Sequence, residues 1–191
     1  FLPATEPGDL TYGEPPRLIA THPEARLHHV NFPKMVWYNR RVCQQAIAQI
    51  RALKVRGVVL VGFSKSGLGA WNIARAIPRL VRRTVIFDAP VARASLPPWE
   101  TAAYYADDAA WQEDLPIRGV DAFRAAMPAT HSLVLISGAA FHDEMLALSH
   151  ALAQAGAAHT FLARPGRPHH WNSGWIEEGL AAQRGQSVRI R

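Results

Sequence analysis

The stretch Val58-Val59-Leu60-Val61-Gly62-Phe63-Ser64-Lys65-Ser66-Gly67-Leu68-Gly69-Ala70 constrains this chain most. Four β-prone apolar residues run into a glycine, then a serine set among small residues, then a helix-forming segment. The pattern predicts strand, sharp turn and helix, with Ser64 at the apex. A nucleophilic serine needs this arrangement. Its hydroxyl must stand clear of the sheet, on a backbone tight enough that its neighbours must be small. The following amide, Lys65 N–H, then falls at a helix N-terminus and can face a developing oxyanion. The usual Gly-x-Ser-x-Gly pattern is met except at its last position, where Ser66 stands for glycine and Gly67 follows one place later. Other glycine-rich readings fail on spacing. Gly67 is followed by Leu68 rather than by the Lys-Ser/Thr of a phosphate loop, and a dinucleotide fingerprint is not spelled. The plain alternative is an ordinary strand-to-helix turn in an α/β protein.

Length and composition set the frame. A chain of 191 residues, 49% hydrophobic and 19% charged, reads as one globular domain with a substantial core. No apolar run reaches membrane-spanning length. Cys43 is the single cysteine, so no intramolecular disulfide forms. Phe1-Leu2-Pro3 has neither the basic start nor the apolar core of a signal peptide, although the chain does not begin with Met; a cytoplasmic location is the expectation. The net charge of +6 could attract an anionic partner. The arginines are spread along an Ala/Arg/Pro/Gly-rich, bacterial-like composition, however, so a solvated basic surface is expected and nucleic-acid binding is not.

Taken in order, residues 1–16 are rich in proline and read as irregular or edge structure. Arg17–Thr21 and Leu27–Phe32 are short strand candidates, separated by a His22-Pro23 turn. Val36–Val55 has helical periodicity through Val42, Ala46, Ile50 and Leu53. After the elbow a helix should run to Ile77, followed by a strand over Arg83–Phe87 ending in Asp88-Ala89-Pro90. Residues 91–130 lack a regular unit and suggest short helices, loops and a small lid. Ser132–Ser137 is a buried strand, followed by Gly138. Met145, Leu148 and Leu152 share a helical face that stops at Gly156. A last strand over His159–Ala163 leads to a Pro/Gly-rich loop over Arg164–His170. A final helix over Gly174–Gln183 should be capped by Ser173, and the tail after Gly185 should be loose. Alternating strands and helices predict a mostly parallel central sheet with helices on both faces, and ligands beyond the carboxyl ends of its strands.

A serine hydroxyl needs a base, and the base needs an acid to orient it. Later loops offer both: Asp143 after the Ser132–Ser137 strand, and His169 with His170 after the last strand. The order Ser64, Asp143, His169 is one superfamily's order. On Gly62-Phe63-Ser64-Lys65-Ser66-Gly67, the strand-Gly138-Asp143 segment and Pro168-His169-His170-Trp171-Asn172-Ser173-Gly174-Trp175, the chain resembles the α/β-hydrolase superfamily. Its small serine esterase-like members are the nearest in kind. The resemblance implies a compact fold with a small lid or none. It also implies Ser64 as nucleophile, Asp143 as acid, His169 as base and Lys65 N–H as one oxyanion donor. The implied reaction is hydrolysis of small to medium esters without metal or organic cofactor. A peptidase, a thioesterase or a non-catalytic binding protein are the alternatives. The second oxyanion donor has no assigned residue.

Each residue has a rival reading. Asp143 could cap the helix after it; Glu144 and Asp88 are its competitors as the acid, and His170 competes with His169. His142 and His131 read as surface or loop residues. His28-His29 lacks a third metal ligand at suitable spacing. Trp99, Tyr104, Tyr105 and Trp111 are core residues or an acyl-pocket lining. The Lys65 side chain faces solvent or a substrate carboxylate.

Overall fold

The computed structural model describes residues 1–14 and 25–182. The expected strand over Arg17–Thr21, the His22-Pro23 turn and the tail after Gly185 lie outside the described residues.

Among the described residues four strands form one parallel sheet in chain order: β1 (Val58–Phe63), β2 (Val81–Phe87), β3 (Ser132–Ile136) and β4 (Thr160–Leu162). Phe63 is level with Phe87, and Phe87 with Ile136, so the carboxyl ends of β1, β2 and β3 are flush. Alternation then sorts the side chains. Val61, Phe63, Val85, Phe87, Val134 and Ile136 form one buried cluster with Trp171, Trp175 and Ile176. Leu60, Ile86, Leu133 and Leu135 point the other way, into a larger cluster. Helix α6 (Trp175–Ala181) belongs to the first cluster. Helices α1 (Arg40–Ala52), α2 (Lys65–Ala76) and α5 (His142–Gln154) supply Ala46, Trp71 and Leu148 to the second. The sheet thus carries helices on both faces, as expected of alternating strands and helices. Among the described residues no helix is long and apolar enough to cross a membrane.

Several boundaries differ from the sequence expectation for local reasons. The helix expected from Val36 begins only at Arg40, because the Asn39 side chain accepts a hydrogen bond from Val42 N–H at 3.0 Å and caps it. Val36, Trp37 and Tyr38 precede that cap as buried, non-helical residues. Leu27–Phe32 is not a strand of the sheet. Val30 N–H bonds the Phe1 carbonyl, and Asn31 exchanges two backbone bonds with the Gln49 side chain. Ser173 does not cap the last helix. Its hydroxyl donates to the His170 carbonyl, and Gly174, with φ +77°, starts the helix instead.

Residues 91–130 form two short helices, α3 (Asp108–Asp114) and α4 (Val120–Ala126), and two 3-10 turns. Their aromatics divide. Trp111 and Tyr105 are core residues in edge-to-face contact. Trp99 stays exposed, and Tyr104 anchors by donating its hydroxyl to the Met35 carbonyl.

The β1–α2 turn explains its own composition. A methyl group on Gly62 would sit far inside contact distance of the Ser66 carbonyl oxygen, which is backbone and cannot swing aside. At Gly67 it would lie 2.6 Å from the Ala89 methyl and 2.8 Å from Ile86. The small residue is therefore needed at 67, where α2 crosses β2. Position 66 is free to use its hydroxyl, which accepts from Phe63 N–H and donates to the Phe63 carbonyl, each at 2.9 Å. Replacing Gly62→Ala should lower unfolding stability in urea by about 1–3 kcal/mol, measured by circular dichroism.

Candidate active site

The strands β1, β2 and β3 end in Ser64, Asp88 and Ser137, all held by a continuation of the sheet's own hydrogen bonds. Ser64 N–H bonds the Phe87 carbonyl at 3.0 Å, Asp88 N–H bonds Ile136 at 2.9 Å and Ser137 N–H bonds Leu162 at 3.1 Å. Ser64 has φ 52° and ψ −131°, and Asp88 has φ 43°; neither is glycine. Such conformations cost about 1–3 kcal/mol each and persist only where the surroundings over-determine them. Here the flush sheet ends and the Ser66 clasp do so, and Ser64 is left half-exposed where the chain reverses into α2.

Asp88 is fully buried. Its carboxylate accepts from three donors of the β3–α5 loop: Gly138 N–H at 2.9 Å, Ala140 N–H at 3.0 Å and Phe141 N–H at 2.8 Å. The fourth partner is His169 Nδ1, at 2.7 Å from Oδ2. A carboxylate this deep is tolerable only when its lone pairs are used, and they are. Gly138 is part of the same solution, since a Cβ there would stand 2.5 Å from the Asp88 carboxyl group. With Nδ1–H given to Asp88, the imidazole is held in the tautomer that leaves Nε2 as an acceptor.

The His169 ring is boxed by aromatics. Its centroid lies 4.4 Å from Phe63, which precedes Ser64, and 5.5 Å from both Tyr12 and Phe141 in edge-to-face contact. The backbone of its loop is tied down as well. Trp171 N–H donates to the Tyr12 carbonyl at 2.6 Å, and Ala139 N–H to the Arg167 carbonyl at 2.9 Å. Arg164 and Arg167 both pair with Glu178 of α6.

The structure therefore brings Asp88 to His169 and leaves Asp143 out. Asp143 is exposed in the first turn of α5 and makes no hydrogen bond to a histidine among the described residues. The reason is the direction of the β3–α5 loop. Its N–H groups curl onto Asp88, and Asp143 falls on the exposed side of the first turn of α5. Glu144 is committed elsewhere, to Ala92 N–H at 3.0 Å and to the Arg93 guanidinium at 3.1 Å. His170 packs against Gly13 and accepts from Asn172 N–H, so its ring has a local structural use. His142 bonds the Ser137 hydroxyl at 2.9 Å. His131 is not a surface residue; it is buried, with its ring 3.0 Å from the Thr84 hydroxyl.

A cavity of about 90 Å3 opens on the elbow, lined by Ser64, Lys65, Phe63, Ala4, Tyr12, Trp37, Pro90 and Trp99. Ala4 was not evident from sequence as a site residue. It arrives because the first residues run beside β1, with Leu2 N–H bonded to the Val61 carbonyl at 3.1 Å. Trp37 is fixed by an indole hydrogen bond of 2.8 Å to the Trp99 carbonyl. Lys65 is half-buried, and burial lowers its ammonium pKa to about 8.

Comparison with known proteins agrees with this architecture. No family model and no curated protein sequence matches the chain. Among solved structures it is similar to a protein of Bacteroides ovatus provisionally named dipeptidyl aminopeptidase IV. That match has a TM-score of 0.51 and 11% identity, and covers 74% of this chain and 22% of the other. It is also similar to a ferulic acid esterase, with a TM-score of 0.49, 15% identity, and 73% and 55% covered. The chain thus spans about a fifth and about half of those two proteins. The fold is α/β, a parallel sheet with helices on both faces, as in the first of these structures.

The two candidate acids differ in what they hold in place. Asp88→Ala would strand the buried Gly138 and Phe141 N–H donors and should destabilise the fold by about 2–5 kcal/mol. Asp143→Ala should change stability by less than about 0.5 kcal/mol. Urea unfolding of both variants measures the difference.

Proposed function

We propose that the protein is a serine hydrolase acting on small carboxylic esters, with Ser64 as nucleophile, His169 as base and Asp88 as the orienting acid. The observation that carries this reading is the 2.7 Å contact of His169 Nδ1 with a buried carboxylate, in a ring packed against the residue before a strained elbow serine.

Acylation begins when Ser64 Oγ attacks the ester carbonyl carbon and its proton passes to His169 Nε2. Asp88 stabilises the resulting imidazolium and holds its orientation. The carbonyl oxygen becomes an oxyanion that accepts from Lys65 N–H in the first turn of α2. The backbone N–H of Ala4, which lines the same cavity, is the second donor in this reading. As the tetrahedral species collapses, the bond to the alkoxy oxygen breaks and His169 returns the proton to the leaving alcohol. Water, deprotonated by His169, then attacks the acyl-enzyme. The acid is released and Ser64 regains its proton.

The cavity of about 90 Å3 on the elbow is small, which favours short acyl groups over long chains. Amides and thioesters would use the same groups, so parallel turnover of an ester, an amide and a thioester identifies the bond class.

Hydrolysis of 4-nitrophenyl acetate tests the assignment. Ser64→Ala should abolish it, and Asp88→Asn should lower kcat by about 10³–10⁴-fold because the imidazole loses its anchor. Asp143→Asn should stay within about threefold of the parent. Equal losses in the two Asp variants would refute Asp88 as the acid.

A further inference from the structure

We propose that the Lys65 side chain is a carboxylate-recognition group, and that the substrates of the Ser64 site are short carbonyl compounds carrying a carboxylate, such as half-esters of small dicarboxylic acids. The inference rests on the hydrolase reading and adds a substrate class to it.

Lys65 follows the elbow serine directly, and both residues line the same small cavity. A lysine with a free choice extends its ammonium into water. Here Nζ instead stands over the indole of Trp37, 5.5 Å from the ring centroid. That indole is 2% exposed and pinned to the Trp99 carbonyl, so it is a fixed wall. The ammonium is thereby drawn into the cavity rather than away from it. Glu6, Asp9 and Glu100 are its acidic neighbours, yet none of these described residues forms an ion pair with it. Glu6 and Glu100 are exposed, where their charge is screened, and the Asp9 carboxylate is engaged by Thr11 N–H at 2.8 Å.

The result is a partly desolvated cation without a bonded counter-ion, next to the proposed nucleophile. An anionic group on the ligand would satisfy it; a neutral acyl chain would leave the cost of burial uncompensated. Ser64 and Lys65 are consecutive residues lining one cavity, so a short linker between the carbonyl and the carboxylate suits it. Burial, which lowers the ammonium pKa to about 8, supplies a signature. The protonated form binds the carboxylate, so the preference is full below that value and is lost as pH rises through it. Glu6, Asp9 and Glu100 are the acidic side chains whose charge acts on it. Tyr12 is the other ionisable side chain lining the cavity.

The test compares monomethyl succinate with the neutral isostere methyl 4-methylpentanoate, followed by titration of released acid, in the parent protein, Lys65→Met and Lys65→Arg. The ratio of the two kcat/KM values is read within each protein, so any general loss at the elbow cancels. The expected result is a preference for monomethyl succinate that falls at least about tenfold in Lys65→Met and is largely kept in Lys65→Arg. In the parent the ratio should also decline between about pH 6.5 and about pH 9.5. A ratio that is the same in parent and Lys65→Met, and flat with pH, overturns the inference while leaving the hydrolase reading intact. If the folded parent turns over neither ester, the hydrolase reading fails on its own. The anion site is then read by tryptophan fluorescence on titration with succinate against succinamide. A succinate-specific change lost in Lys65→Met supports the site, and no change in the parent overturns it.

Discussion

The Asp88 carboxylate is the interaction on which the rest of the site depends. It is buried without exposure and accepts from Gly138, Ala140 and Phe141 N–H as well as His169 Nδ1. Those bonds tie together the end of β2, the loop after β3 and the loop after β4. The flush register of the sheet makes this possible, because Phe87 is level with both Phe63 and Ile136 and the residue after each strand projects past the same edge. One carboxylate thus shapes a backbone loop and orients an imidazole. The local cost is a non-glycine residue at positive φ and a position 138 that tolerates no side chain.

The second constraint is the elbow. Ser64 can hold its conformation because everything around it is small or bonded. Gly62 clears the Ser66 carbonyl, Gly67 clears β2, and the Ser66 hydroxyl staples Phe63. The departure from the usual glycine pattern is therefore a change of means. Close helix–strand approach is met at 67, and 66 contributes hydrogen bonds instead. The aromatic rings of Phe63, Tyr12 and Phe141 then pack on His169, so the elbow and the histidine loop share one wall.

What could be read from the sequence was local. The elbow, its strand and its helix follow from β-prone residues, glycine and small residues within one short stretch, and β3 from an unbroken apolar run. The segment from His169 to Trp175 carries part of the family resemblance, and the structure places Trp171 and Trp175 in the core. The carboxylate that meets His169 is not local. Asp143 and Asp88 both follow strands, and only the curl of residues 138–141 onto Asp88 distinguishes their surroundings. Two sequence features accompany Asp88: its place directly after β2, level with the elbow, and a glycine at 138 where its carboxyl group needs room. The Leu27–Phe32 segment has strand composition but pairs with Phe1 and Gln49 rather than with the sheet, which no periodicity encodes. Ala4 and Trp37 reach the cavity only through tertiary packing.

The central claim is that Ser64 is an activated nucleophile, and active-site labelling tests it most directly. The folded protein would be treated with a fluorophosphonate and the modified peptide mapped by mass spectrometry, alongside Ser64→Ala. The account predicts one phosphonylated residue, Ser64, and no adduct in the variant. A folded protein that takes up no label, or takes it up at another serine with Ser64 untouched, would contradict it.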